Sequence, residues 1–268
     1  MRTASLLSLV VTTLLSRSAV ATPIVATFNP SQDNTVIQAT DITKQLSNGQ
    51  GDIFVGRTNQ DGQGPATISI RRGLIQFDIA SKIPAGAKIT SVSLTMRDVM
   101  GLNGDPVVEL HSALNSWGEG SSFQNGGMGA AATAGDATWL YRFFNDDSKK
   151  WTNPGGDYSG TISGSAVVSD ELGGGQLFTW TGSQMIADVQ VWLDSPSTNF
   201  GWFVLGDEAR GQSAKRFNSG ESTISPNLPP VLSVTYVIPE PSSLLLSVGG
   251  LTGLCVTAIR RRRVAPRS

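Results

Sequence analysis

The sequence predicts an all-β fold: an antiparallel, jelly-roll-like β-sandwich with one short helix, set between an N-terminal signal peptide and a C-terminal transmembrane helix. Three observations predict it. Apolar residues recur at every second position through the middle of the chain, glycine-rich turns separate these runs, and one segment has helical spacing instead. Many short strands with tight turns bury their apolar faces most readily as two packed antiparallel sheets.

In chain order, a short apolar run at Ile53–Val55 comes first. Ile75, Phe77 and Ile79 then alternate with Gln76 and Asp78, and Val92, Leu94 and Met96 with Ser91, Ser93 and Thr95. Val108, Leu110 and Leu114 are expected to share a face opposite Glu109 and His111, and Trp139, Tyr141 and Phe143 alternate with Leu140 and Arg142. Leu177–Trp180 and Phe200–Leu205 supply further apolar runs, and Leu232, Val234 and Tyr236 alternate with Ser233 and Thr235. Pro84-Ala85-Gly86, Asn103-Gly104, Asn125-Gly126-Gly127 and Gly173-Gly174-Gly175 are the turns between them. The exception is Ser183 to Leu193, where Met185, Ile186, Val189, Trp192 and Leu193 follow a helical period, with Ser183 as N-cap and Asp194-Ser195-Pro196 as the stop. No linker divides this region and no internal repeat is evident, so residues 22–238 read as one domain.

Composition excludes several classes. The chain has 268 residues, 39% hydrophobic and 15% charged, which is too sparse in charge for a coiled coil and too apolar for wholesale disorder. A single cysteine and a single histidine rule out a disulfide scaffold and a zinc site of the Cys/His kind.

The two ends are addresses. Met1-Arg2-Thr3, a 12-residue apolar run from Ala4 to Leu15, and Ala19-Val20-Ala21 make a signal peptide over residues 1–21, cleaved after Ala21. At the other end, Pro239-Glu240-Pro241 precedes an uncharged stretch of 18 residues, Ser242 to Ile259, and then Arg260, Arg261, Arg262 and Arg263. As a helix, 242–259 would be about 27 Å long, enough to cross a thin bilayer, and the arginines would hold that end in the cytoplasm. Without residues 1–21 and 239–268 the body keeps 13 basic and 20 acidic residues, a net charge of about −7. Such a surface disfavours nucleic acid and anionic lipid. The one cysteine, Cys255, lies in the tail.

This tripartite tail, residues 239–268, resembles the PEP-CTERM sorting signal of Gram-negative bacteria. The resemblance implies export through the inner membrane, transient anchoring there, processing by an exosortase near the Pro-Glu-Pro, and delivery to the cell surface or the exopolysaccharide matrix. An ordinary membrane anchor explains the apolar run and the arginines but leaves the Pro-Glu-Pro unexplained.

The body carries a second resemblance. Asp33-Asn34-Thr35-Val36-Ile37, Arg71-Arg72-Gly73-Leu74-Ile75-Gln76-Phe77-Asp78-Ile79, Ile83-Pro84-Ala85-Gly86-Ala87-Lys88-Ile89, Trp117-Gly118-Glu119-Gly120 and Ala137-Thr138-Trp139 look like successive motifs of the DNRLRE domain family. Ala214 to Ser222 and Pro230 to Tyr236 close the series, with Gly220 standing where a basic residue is expected. The resemblance implies a jelly-roll sandwich related to carbohydrate-binding modules, some of which bind acidic polysaccharides such as alginate.

Little in the residues assembles into catalytic chemistry. His111 has no nucleophile motif around it, and Gly127-x-Gly129-x-x-Ala132 lies in a loop-like stretch rather than between a strand and a helix. Glu109, Glu119, Asp136 and Asp157 could supply a carboxylate pair for glycoside hydrolysis, which is defined by distance in space rather than spacing in sequence. Sugar binding needs flat aromatic faces with a polar rim. Trp139, Trp180, Trp192 and Trp202 fall in apolar runs and are assigned to the core. Trp117 and Trp151 lie in loop-like context and are the carbohydrate-binding candidates, with Tyr158 and Arg142 nearby; the other reading of the two tryptophans, as anchors of their loops to the core, stays open. Arg71-Arg72, Lys149-Lys150 and Lys215-Arg216 are the basic clusters that a polyanion would need, although such clusters are more often solvated faces. No cofactor is required. Calcium suits an extracellular sandwich rich in Asp and Asn, with Asp33, Asp136 and Asp157 as candidate ligands.

The leading expectation is therefore an exported, non-catalytic envelope or matrix protein that associates with extracellular polysaccharide and does not bind nucleic acid. The alternative is a polysaccharide-degrading enzyme, a lyase or glycoside hydrolase, working through carboxylates or Tyr158.

Overall fold

The computed structural model describes residues 21–58, 69–101, 104–169, 175–222 and 228–239. Ala19, Glu240, Pro241, the segment 242–259 and Arg260 to Arg263 lie outside the described residues; Ala21 and Pro239 fall in coil at their margins. Among the described residues no helix is long and apolar enough to cross a membrane.

Residues Pro23–Ile238 form one compact, mostly β unit. Its strands are β1 (Ile24–Phe28), β2 (Gln32–Ile37), β3 (Leu46–Ser47), β4 (Ile53–Arg57), β5 (Ile70–Gln76), β6 (Lys88–Gly101), β7 (Val107–Ala113), β8 (Ala130–Ala131), β9 (Tyr158–Val167), β10 (Leu177–Thr181), β11 (Trp202–Leu205), β12 (Lys215–Phe217) and β13 (Val231–Val237), with one α-helix, α1 (Ser183–Asp194). Pairing runs β1-β13-β6-β12-β4-β5-β11-β7-β9 as a large open sheet, with β10 on β6, β2 on β5, and the short β3 and β8 extending from β2. Every ladder among the described residues is antiparallel.

The main core is built from the period-two faces that the sequence announces. Ile75, Phe77, Val92, Leu94, Met96, Val108, Leu110, Leu232, Val234 and Tyr236 all pack in it. Trp180 on β10 donates its indole N–H to Val108 O at 2.8 Å and meets the Phe217 ring edge-on, so strands far apart along the pairing path share one interior. The helix closes over this core with Met185, Val189, Trp192 and Leu193 buried. Its cap differs from expectation. Gly182 is the N-cap and no side chain caps the helix, because the segment lies directly on β9: a Cβ at Gly182 would come within 2.4 Å of Ser163 O.

A second apolar layer was not expected. On β11, Trp202 and Val204 face the main core, whereas Phe203 faces the other way into a cluster with Val36, Leu74, Trp117, Trp139 and Trp151. This part of the sheet is covered on both sides, which explains why Trp202-Phe203-Val204 is a continuous apolar run rather than an alternating one. The cover is the long connection between β7 and β9.

Two expected strand features are corrected. Trp139 to Phe143 is not a strand: the chain turns there, with Thr138 N–H on Tyr141 O at 2.8 Å and an isolated bridge from Tyr141 to Lys150. Trp139 packs in the second apolar layer, while Leu140 to Phe143 are all half-buried without alternation. Leu114 does not share the face of Val108 and Leu110. β7 ends at Ala113, which packs in the second apolar layer rather than with Val108 and Leu110, and Leu114 lies beyond the strand, 55% exposed.

Candidate functional site

The connection from β7 to β9 folds on its own polar side chains. Asp157 organises one end. Its Oδ2 accepts the Thr152 N–H at 2.8 Å and Asn115 Nδ2 at 3.1 Å, and its Oδ1 accepts the Asn153 N–H at 2.9 Å and Asn153 Nδ2 at 3.1 Å. Burial pushes this carboxyl upward, but the hydrogen bonds prevail and hold it below the usual aspartate value. Beside it, Gly155 and Gly156 have φ of +90° and +117°, and a Cβ on Gly156 would lie 2.2 Å from the Phe203 ring. The turn can lie this close to the sheet because both positions are glycine.

Around this turn opens a cleft of about 540 Å³ lined by Arg72, Asn115, Thr152, Asn153, Asp157 and Tyr158, among others. Arg72, from β5, forks onto Glu208 at 2.7 and 2.9 Å and donates to Gly155 O at 2.9 Å. Its guanidinium lies 4.9 Å from the Trp139 ring centre and 5.4 Å from that of Tyr158. Burial lowers its pKa, and the Glu208 carboxylate more than offsets this, so it stays charged. The half-buried Tyr158 packs on Phe203 with ring centres 5.1 Å apart and stands edge-on to His111. The cleft thus offers one aromatic side chain and a rim of amides and hydroxyl groups, with Arg72 paired to Glu208 and Asp157 held by four hydrogen bonds from uncharged groups.

Of the expected carbohydrate-binding residues, the structure brings Tyr158 to this cleft and takes the two tryptophans away from solvent. Trp117 is 2% exposed and donates its indole N–H to Phe200 O at 2.8 Å. Trp151 is 6% exposed, donates to Thr138 O at 2.9 Å and packs edge-on against Phe203. Neither ring has a face open for a sugar; both anchor the connection to the second apolar layer. Arg142 is likewise used locally, donating to Ser116 O at 2.9 Å and Lys150 O at 3.3 Å. The sequence offers Arg72 only as part of a basic cluster and does not single out Asn115 or Asn153. Arg72 stood in a run that looked like surface charge, and nothing in the local sequence links it to residues 115 or 153.

The basic clusters are partly used within the fold. Arg71 and Lys215 are fully buried, Arg216 pairs with Asp52, and Lys150 with Asp147. His111 is buried, with Nδ1 2.8 Å from Ser159 O and Nε2 3.3 Å from Glu109.

The three candidate calcium ligands separate clearly. Asp157 has its oxygens occupied as described. Asp136 uses Oδ1 for the Ser121 and Ser122 N–H groups and Oδ2 for Thr133, so it too is a loop staple. Asp33 is different. It is fully buried on β2, its Oδ2 accepts the Gly220 N–H at 2.7 Å, and its Oδ1 has no hydrogen-bond partner. One oxygen each from Asp33, Glu119 and Glu221 lie within 4.8 Å of one another. Burial and the charge of Glu221 push Asp33 well above the usual aspartate value, and burial also raises Glu119. Asp33, Glu119 and Glu221 belong to three of the motif segments singled out in the sequence, and the fold gathers them at one place.

The chain matches no protein-family model, and no curated protein is similar to it.

Proposed function

We propose that this chain is an exported, non-catalytic protein of the bacterial cell envelope or extracellular matrix that associates with exopolysaccharide. In this reading the antiparallel sheet is a jelly-roll-like sandwich of the DNRLRE type, and the shared interior joining β10, β12 and β7 supports that shape. The observation that carries the binding role is the polar cleft at Tyr158. An aromatic side chain flanked by Asn115, Thr152 and Asn153 is the kind of surface that pairs with sugar C–H faces and hydroxyl groups. Because Arg72 is neutralised by Glu208, and the body carries a net charge of about −7, the site favours a neutral, hydroxyl-rich glycan over a polyanion.

Asp157 argues against a carboxylate-driven glycoside hydrolase at this cleft. A general acid needs a raised pKa and a free oxygen, whereas this carboxyl is held low and accepts four hydrogen bonds.

The tail at Pro239-Glu240-Pro241 supports export, membrane retention through 242–259 and exosortase processing. Affinity gel electrophoresis of the full chain in neutral and acidic polysaccharides tests the binding role. Retardation that is lost in Tyr158→Leu and Asn115→Ala is expected; retardation unchanged in both would reject the cleft, and steady glycan turnover would favour the enzyme. Replacing Pro239, Glu240 and Pro241 by alanine should trap the protein in the membrane, and unaltered release would reject the sorting role.

A further inference from the structure

Burying a carboxylate with an oxygen left unpaired is strongly unfavourable unless something positive meets it. Asp33 is in that position. The groups bearing on its charge are Glu221, Glu119 and Asp52, all acidic, with the Gly220 N–H acting the other way. The Asp33 N–H also donates to Glu119 Oε1 at 2.9 Å, so the Glu119 side chain is held toward Asp33. The Asp33 side chain, in turn, fixes the turn at Gly220 next to Glu221. A Cβ at position 220 would lie 3.1 Å from Asp33 Oδ2, so a glycine here lets the turn approach closely.

We propose that Asp33, Glu119 and Glu221 hold a divalent cation of the calcium class. The chemistry is that of a hard ion: three carboxylates, no nitrogen or sulfur. The three oxygens lie within 4.8 Å of one another, close enough to share one ion. Calcium accepts carboxylates and water in a flexible shell at about 2.3–2.6 Å, whereas magnesium demands a near-ideal octahedron and gives up its own water reluctantly, so an irregular set of one buried and two more accessible carboxylates suits calcium better. Glu221 is exposed, which leaves that side open to water as further ligand and as the entry path. The ion would tie β2 to the connection after β7 and to the turn after β12, three segments distant in sequence. Its role is structural, and it stands apart from the cleft at Tyr158.

The test uses the purified full chain, stripped with chelator and titrated with CaCl2, MgCl2 and NaCl. Calorimetry should show one Ca2+ per chain at the millimolar or tighter affinity typical of extracellular modules, with Mg2+ weaker. The thermal midpoint should rise by about 5 °C or more at a hundredfold excess over Kd, and chelator should reverse the rise. Because Asp33→Asn alters a fully buried side chain that also holds the Gly220 turn, the exposed Glu221→Gln is the informative variant. It should weaken Ca2+ binding at least about tenfold while the midpoint of the stripped protein stays within about 2 °C of wild type. The proposal is overturned by absence of Ca2+ binding up to 10-fold above that range, by binding that Glu221→Gln and Glu119→Gln leave unchanged, by tighter binding of Mg2+, or by an equal response to NaCl.

Discussion

Asp188 on the helix accepts the indole N–H of Trp202, on the sheet, at 2.9 Å, and the same Oδ2 accepts the Ser163 hydroxyl at 2.5 Å. Gln184 donates to the other oxygen at 2.9 Å. One carboxylate therefore pins the helix to β11 and β9 together. Removing it in Asp188→Ala leaves two buried donors without an acceptor, and we expect a loss of about 2–4 kcal/mol in urea unfolding. Asp188→Asn keeps one acceptor and should lose less. An alanine variant within about 0.5 kcal/mol of wild type would show that the pin is not structural.

Arg72 ties β5 to the Glu208 segment by two parallel hydrogen bonds and to the Gly155 turn by a third. Lysine has the charge but not the planar fork, so Arg72→Lys should cost about 1–2 kcal/mol. Glu208→Gln should cost a similar amount, and the double variant less than the sum of the two, as read from a double-mutant cycle in denaturant. Simple additivity would mean that the two side chains do not act as a pair.

The hydrogen bonds on Asp157 set a pH dependence. Its folded pKa lies below the ordinary value of 3.8, so its contribution is full above that value and is lost as pH falls through the lower folded one. Unfolding free energies of wild type and Asp157→Asn should differ most above about pH 4 and converge in more acid solution. A gap independent of pH between 2 and 7 would contradict this assignment.

Trp151 tests the second apolar layer. Its ring is buried against Phe203 and its N–H is satisfied at Thr138 O. Trp151→Ala should destabilise the protein by about 3–5 kcal/mol and weaken the near-ultraviolet circular dichroism. A stable variant with unaltered spectrum would place Trp151 at the surface instead.

The strands at Val92–Met96 and Leu232–Tyr236 and the helix from Ser183 were legible in the sequence, because a sheet or helix with one buried face writes its period into consecutive residues. Trp139 to Phe143 shows the limit of that signal. The letters alternate there, but the chain turns and its side chains from Leu140 to Phe143 are all half-buried, so local spacing alone does not establish a strand.

What the sequence determined by itself is the all-β character, the four core tryptophans in apolar runs, and the two terminal segments with their charge and length. The tertiary structure alone decided that Trp117 and Trp151 point inward, that Arg72 meets Glu208, and that Asp33 meets Glu119 from 86 positions away. The physical reason is range. Secondary structure depends on neighbours within a few residues, whereas burial on a second face and the meeting of distant carboxylates depend on where an entire strand order brings the chain back.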